Sequence, residues 1–183
     1  MSSHNLTFVL GGARSGKSAF AEQLAHDSAL PVTYIATALD TGEREMRERI
    51  AHHRARRPAH WTTVEAGLDL AGAIAHAARP DHCVIVDCLP LWLAGWLCPP
   101  GARDDTPFDD GPWLAACAQL ETALATAPGQ RVVVSNEIGM GVIPMGALTR
   151  RYVDELGRLN QRIAAVSDRV RFVVAGLPMA VKG

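Results

Sequence analysis

The chain has 183 residues, enough for one domain with a substantial core, and 48% hydrophobic against 20% charged residues excludes a disordered polymer. A net charge of −1 argues against a nucleic-acid binder that works through a basic surface, and no apolar run reaches the roughly 18 residues of a membrane span. Residues 1–5 have neither the basic start nor the apolar stretch of a signal peptide, so the expected compartment is the cytoplasm. The four cysteines, Cys83, Cys88, Cys98 and Cys117, show no C-x-x-C spacing and read as reduced thiols in or near the core. From the N-terminus, residues 6–10 form an apolar strand. Gly11-Gly12-Ala13-Arg14-Ser15-Gly16-Lys17-Ser18 then fits the pattern G-x-x-x-x-G-K-[ST], and residues 19–25 are good helix formers. Strand, glycine loop and helix together make a phosphate-binding loop. Its backbone N–H groups and the helix N-terminus face phosphate oxygens, Lys17 reaches the β- and γ-phosphates, and the Ser18 hydroxyl serves magnesium. Lysine is scarce in this chain, Lys182 being its only other one.

A second strand covers residues 32–37, and Asp40 and Thr41 can cap a charged helix over 42–57 that Pro58 ends. A short strand follows at 61–65 and an alanine-rich helix at 68–78. The run 82–87 is continuously apolar and ends in Asp87, the pattern of a buried parallel strand. Residues 89–97 read as helix, 98–112 as a surface loop rich in Pro, Gly and Asp, and 112–126 as helix. A buried strand at 131–135, a long helix at 147–167 and a last strand at 170–175 complete the pattern. Strands alternating with helices, with almost no hairpin signals, predict a single α/β domain over 1–183 of the P-loop NTPase type. Its mostly parallel sheet should be covered by helices on both faces.

Two features add chemistry to the loop. Asp87 stands where phosphate-loop proteins hold magnesium; the alternative is an acid that simply caps the helix beginning near Pro90. In the 42–57 helix, Met46, Ile50, His53 and Arg57 share one arc at 100° per residue. The spacing therefore turns His53 inward between Arg49 and Arg57, and leaves His52 more exposed beside Glu48 and Arg56. Such an imidazole suits a phosphoryl group, because the guanidiniums hold the anion and favour the neutral, nucleophilic ring. It is also compatible with an ordinary histidine.

Taken together, LGGARSGKS, YIATA, RIAHHRARRPAHW, VDCL, SNEIGMGVIP and GRLNQRIA resemble the bifunctional adenosylcobinamide kinase / adenosylcobinamide-phosphate guanylyltransferase family of the cobalamin pathway. The resemblance spans essentially the whole chain. It implies phosphorylation of adenosylcobinamide by ATP or GTP. It further implies transfer of GMP from GTP to adenosylcobinamide phosphate through a covalent guanylyl-histidine, with release of pyrophosphate. It places that histidine at His53. The GTP-contacting positions it implies are Gly11, Gly12, Ala13, Arg14, Ser15, Gly16, Lys17, Ser18, Ala36, Thr37, Ala38, Arg54, Ala55, Arg56, Arg57, Glu65 and Asp87. One departure is Ala38, where relatives often carry a hydroxyl residue; another is that relatives sometimes have glutamate at the place of Asp87. Asn136 and Glu137 lie in a characteristic block without an assigned role. The resemblance also implies a trimer. One bound GTP can have its leaving pyrophosphate in the loop and its α-phosphate at His53 if the helix carrying His53 approaches the loop, so that helix is expected to move. The alternatives are a simple small-molecule kinase with a structural His53, and a non-catalytic nucleotide switch or DNA-handling ATPase core.

Overall fold

In a computed structural model of the chain, the residues described are 5–38, 57–99 and 108–183. The expected helix over 42–57, with His53, Arg54, Ala55 and Arg56, lies outside them except for Arg57, as do residues 100–107 of the expected surface loop.

The described strands form a seven-stranded sheet. They are β1 (Leu6–Gly11), β2 (Val32–Ala36), β3 (Thr62–Glu65), β4 (Cys83–Asp87), β5 (Gln130–Asn136), β6 (Arg169–Val174) and β7 (Leu177–Lys182). The order across the sheet is β3-β2-β4-β5-β1-β6-β7. The first six run parallel, and β7 returns antiparallel to β6. The described helices are α1 (Lys17–Asp27), α2 (Leu70–Ala77), α3 (Leu89–Leu97), α4 (Asp110–Thr126) and α5 (Ala147–Val166).

Successive residues of a strand face opposite sides, so a strand buried on both must be apolar throughout. The middles of β1, β4 and β5 are largely so, with Thr7 of β1 and Arg131 and Ser135 of β5 as buried polar exceptions. Leu6, Phe8, Val84, Val86 and Val133 join a core with α2, α3, α4 and α5 on one face. Val9, Cys83, Ile85, Val132 and Val134 join a smaller core with Ala21 and Ala25 of α1 and with Trp61 on the other. The expected α/β sheet with helices on both faces is therefore present.

Three of the differences from the sequence expectation have clear local causes. Asp69 caps α2 by accepting from Gly72 N at 2.9 Å, which moves its start to Leu70. Asp109 likewise accepts from Gly111 N at 3.0 Å, so α4 begins before Pro112, which is tolerated in a first turn. The third difference is a strand the sequence reading lacks. Residue 174 does not end the sheet: Ala175 and Gly176, at φ 51° and 81°, form a two-residue turn into β7. Two positive φ values are what a tight hairpin of this kind requires.

Candidate functional site

The sheet's parallel strands deliver their carboxyl ends to one edge, where α/β proteins bind ligands. Gly11, Ala36, Glu65 and Asp87 are the last residues of β1, β2, β3 and β4. The register sets Ala36 opposite both Glu65 and Asp87, and Gly11 opposite Asn136. Residues predicted from separate stretches of sequence thus share one edge.

The phosphate loop is shaped by close contacts rather than by its own flexibility. A Cβ on Gly11 would stand 2.4 Å from Ser15 Oγ and 2.7 Å from the Val173 carbonyl oxygen, so only glycine fits. Gly12 O accepts from Ser15 N at 3.3 Å and from Lys17 Nζ at 3.2 Å, which closes the turn. Gly16, at φ 96°, hands the chain into α1, a conformation that an L side chain resists. No side chain caps α1, and its first turn carries no acidic residue. Its first N–H groups therefore present a positive end without a competing carboxylate, as an anion site needs. Ser15 Oγ is buried without a hydrogen-bond partner. Ala13 and Arg14 are exposed on the outer curve of the loop, and Ser18 is half-buried in the first turn of α1.

The hairpin turn buttresses this loop. Gly176 N donates to Ser15 O at 2.8 Å, and a Cβ on Gly16 would lie 3.0 Å from Gly176 Cα. The strand absent from the sequence reading therefore fixes the back of the phosphate cradle.

Asp87 belongs to the same wall. Its register partner on β5 is Val134, which in turn pairs with Val9, so two inter-strand steps of about 4.8 Å separate it from β1. Tyr34 OH donates to Asp87 Oδ2 at 2.5 Å. Burial first, and then the neighbouring Asp87 charge, push the Tyr34 phenol far above its ordinary value, while Arg57 opposes the shift. It therefore remains a donor at all working pH. The Arg57 guanidinium lies over the Tyr34 ring, 3.7 Å from its centroid, with Nε and Nη1 buried and without hydrogen-bond partners among the described residues. Buried guanidinium N–H groups without acceptors call for an anion.

Thr37 is placed beside these groups, but its hydroxyl is already engaged. It donates to Cys88 O at 2.7 Å and accepts from Cys88 N at 2.9 Å, tying the end of β2 to the residue after Asp87. Ala38 is half-buried and Glu65 exposed at the same edge.

Sequence reasoning left Asn136 and Glu137 without roles. Asn136 ends β5 beside Gly11, with Oδ1 buried and unpartnered, and Glu137 N donates to Gly11 O at 3.2 Å. Asn160 of α5 holds this strand end: it donates from Nδ2 to Asn136 O at 2.9 Å and accepts from Ser135 Oγ at 2.7 Å.

Among the described residues no group of three or more His, Cys, Asp or Glu could hold a metal by itself. One carboxylate at Asp87 and one hydroxyl at Ser18 instead suit magnesium, which takes one or two protein oxygens and completes its octahedron with phosphate and water.

A family model described as cobinamide kinase / cobinamide phosphate guanyltransferase matches residues 7–181. The bifunctional adenosylcobalamin biosynthesis protein CobP of Pseudomonas aeruginosa is 53% identical over 175 residues, covering 96% of each chain. The bifunctional adenosylcobalamin biosynthesis protein CobU of Salmonella typhimurium is 38% identical over 182 residues, covering 97% of this chain and 99% of its own. Since both relatives are named bifunctional, the kinase-only alternative draws no support from them. Among solved structures, the Pyrococcus horikoshii OT3 protein PH0250 superposes with a TM-score of 0.57 at 9% identity, covering 100% of this chain and 88% of that one. An ATPase of a bacterial type III secretion system superposes at 0.50 and 9% identity, over 97% of this chain and 58% of its own. At such identities the likeness bears on the fold alone, a mostly parallel sheet with helices on both faces.

Proposed function

The chain belongs to the cobinamide kinase / cobinamide phosphate guanyltransferase family, and on that premise we propose that one phosphate cradle, Gly11 to Ser18, serves both of its reactions. The enzyme phosphorylates cobinamide and then transfers a guanylyl group to the product. The observation that carries the reading is the cradle itself. Gly11 and Gly16 are held where no side chain fits, Lys17 stands at the mouth, and α1 presents an uncapped N-terminus.

In the kinase step, the aminopropanol hydroxyl of adenosylcobinamide attacks the γ-phosphorus of ATP or GTP. The bond to the β-phosphate oxygen breaks, the nucleoside diphosphate leaves with the electron pair, and the hydroxyl proton goes to solvent. Lys17 and the loop amides stabilise charge that grows on the phosphate oxygens. Magnesium, held by Ser18 and Asp87, would neutralise charge on the triphosphate.

In the guanylyl step, a nucleophile must attack the α-phosphorus of GTP while pyrophosphate leaves. We assign it to His53, which lies outside the described residues, because a neutral imidazole forms a phosphoramidate and releases it readily. A P–N bond forms and the α–β phosphoanhydride breaks. The phosphate oxygen of adenosylcobinamide phosphate then displaces the histidine to give adenosylcobinamide-GDP. The same cradle that holds the reacting end of the nucleotide in the first step holds the leaving pyrophosphate in the second. Arg57, with two N–H groups that meet no acceptor among the described residues, and Arg54, Ala55 and Arg56 before it complete the proposed nucleotide contacts, together with Ala36, Thr37, Ala38 and Glu65.

No described helix is long and apolar enough to cross a membrane, and we place the enzyme in the cytoplasm with its nucleotide substrates. We further propose a homo-oligomer, a trimer, which would cover the exposed side chains of Met140, Val142, Ile143 and Met145. Sedimentation equilibrium tests the assembly. The activity is tested by incubating the protein with adenosylcobinamide, magnesium and α-labelled GTP. Labelled adenosylcobinamide-GDP is expected, and a product that stops at adenosylcobinamide phosphate would overturn the bifunctional reading for this chain.

A further inference from the structure

Tyr34 lies in the middle of β2, in the smaller core, and is 1% exposed. A phenylalanine would fill the same space. A buried hydroxyl costs stability unless it is hydrogen-bonded, so the oxygen at this position has a task. Its register partner on β4 is Ile85, and Asp87 follows two residues later on the same side of the sheet. The ring therefore reaches along that face from the interior to the carboxylate at the edge, and its hydroxyl meets Oδ2 at 2.5 Å. The same ring carries the Arg57 guanidinium on its face. One buried side chain thus touches the strand-end carboxylate with its tip and the Arg57 guanidinium with its ring.

We propose that Tyr34 is a positioning residue for the metal-bearing carboxylate, its hydroxyl holding Asp87 Oδ2 so that Oδ1 is turned to magnesium, while its ring seats Arg57 toward the nucleotide. This rests on the reading that Asp87 serves magnesium. A carboxylate rotates freely about its last bond unless something fixes it, and partners in the outer shell of metal sites do so. No phosphate-binding pattern marks Tyr34, because the contact depends on the register between β2 and β4. Removing its hydroxyl should act on magnesium, and removing its ring should act on the anion as well.

The test is binding of a non-hydrolysable GTP analogue to the full chain, by calorimetry, in EDTA and along a magnesium titration. Wild type, Tyr34→Phe, Tyr34→Leu, Asp87→Asn and the double variant Tyr34→Phe/Asp87→Asn are compared, with melting temperatures alongside. Tyr34→Phe should raise the magnesium concentration needed for half-maximal tightening by about 10- to 100-fold, the usual range for an outer-shell partner. Its affinity in EDTA should stay that of wild type. In the double variant, the Tyr34 change should add nothing to Asp87→Asn. Tyr34→Leu should lose affinity in EDTA as well, since Arg57 loses its seat. An unchanged magnesium requirement in Tyr34→Phe would overturn the proposal, and so would an equal loss with and without magnesium, which a packing defect would produce. If Asp87→Asn itself leaves the magnesium requirement unchanged, the metal role of Asp87 fails and Tyr34's fails with it. A shift in Asp87→Asn without one in Tyr34→Phe removes only the role of Tyr34.

Discussion

Lys17 Nζ donates to the carbonyl oxygen of Gly12 at 3.2 Å, so the ammonium folds back across the mouth of the loop that precedes it. A carbonyl is a weak partner for a full charge, and phosphate oxygens in the cradle would outcompete it. On the proposed function, both reactions need the triphosphate held there. Lys17→Ala should therefore depress kinase and guanylyl turnover together, by roughly 100- to 1000-fold, as loss of one positioned donor to developing charge does. Steady-state assays of both half-reactions check this, and near-normal kinase turnover would remove Lys17 from the chemistry.

The hairpin behind the loop makes a second prediction. Gly16 sits at φ 96°, and a Cβ there would lie 3.0 Å from Gly176 Cα, which is backbone and cannot step aside cheaply. Gly16→Ala should cost about 1–3 kcal/mol for the backbone conformation alone. It should also weaken binding of a GTP analogue by pushing the loop off its support. Urea denaturation and analogue titration measure the two effects, and a variant of normal stability and affinity would show that the support is not needed.

What the sequence displayed, and what it hid, divide along physical lines. β1, β4 and β5 were legible because a strand covered on both faces carries a run of apolar residues at its middle, and the phosphate loop was legible because its glycines sit between a strand and a helix. β7 was hidden. Its residues Leu177-Pro178-Met179-Ala180-Val181-Lys182 include a proline, which an exposed edge strand tolerates, and an Ala-Gly turn is a weak hairpin signal. The parts of the site that depend on register were hidden too. Nothing local says that Tyr34 meets Asp87, that Thr37 is spent on Cys88, or that Asn160 ties down the end of β5.

A third prediction concerns the larger core. Trp113 Nε1 donates to Glu155 Oε2 at 2.8 Å, and the Glu155 side chain is only 10% exposed. Glu155 also pairs with Arg158, whose side chain is largely in solvent, so that contact adds little. Glu155→Ala should leave the indole N–H without an acceptor and cost about 2 kcal/mol, whereas Glu155→Gln keeps an acceptor and should cost about half as much. Equal losses in urea titrations of the two variants would contradict the assignment.

The thiols give a fourth. Burial pushes Cys83 up to about 11 and Cys117 up to about 12, so at pH 8 only about one in a thousand and one in ten thousand, respectively, is the reactive thiolate. Cys98 is exposed. An aromatic disulfide reagent at pH 8 should therefore modify Cys98 first, and reach Cys83 and Cys117 only when denaturant is added. Peptide mapping after timed labelling decides it; early modification of Cys117 would mean that the α4–α5 core opens readily.

The last prediction separates the two reactions. Transfer of a γ-phosphoryl group to a substrate hydroxyl needs no covalent intermediate on the protein. Guanylyl transfer through a histidine does. His53→Ala should therefore still convert adenosylcobinamide to its phosphate, yet form no adenosylcobinamide-GDP and retain no label from α-labelled GTP. His52→Ala should keep the label, since the family resemblance places the nucleophile at the second histidine of the pair. The bond is a phosphoramidate, whose nitrogen becomes a good leaving group once protonated. The labelled wild-type protein should therefore lose its label in acid and keep it in alkali, the reverse of a phosphoester of serine. Lys17→Ala should take up label more slowly by the same roughly 100- to 1000-fold, because the leaving pyrophosphate loses a positioned charge in its cradle. A label that persists in His53→Ala and vanishes in His52→Ala would move the nucleophile by one residue, and a label in neither variant would show that each histidine is needed for the transfer.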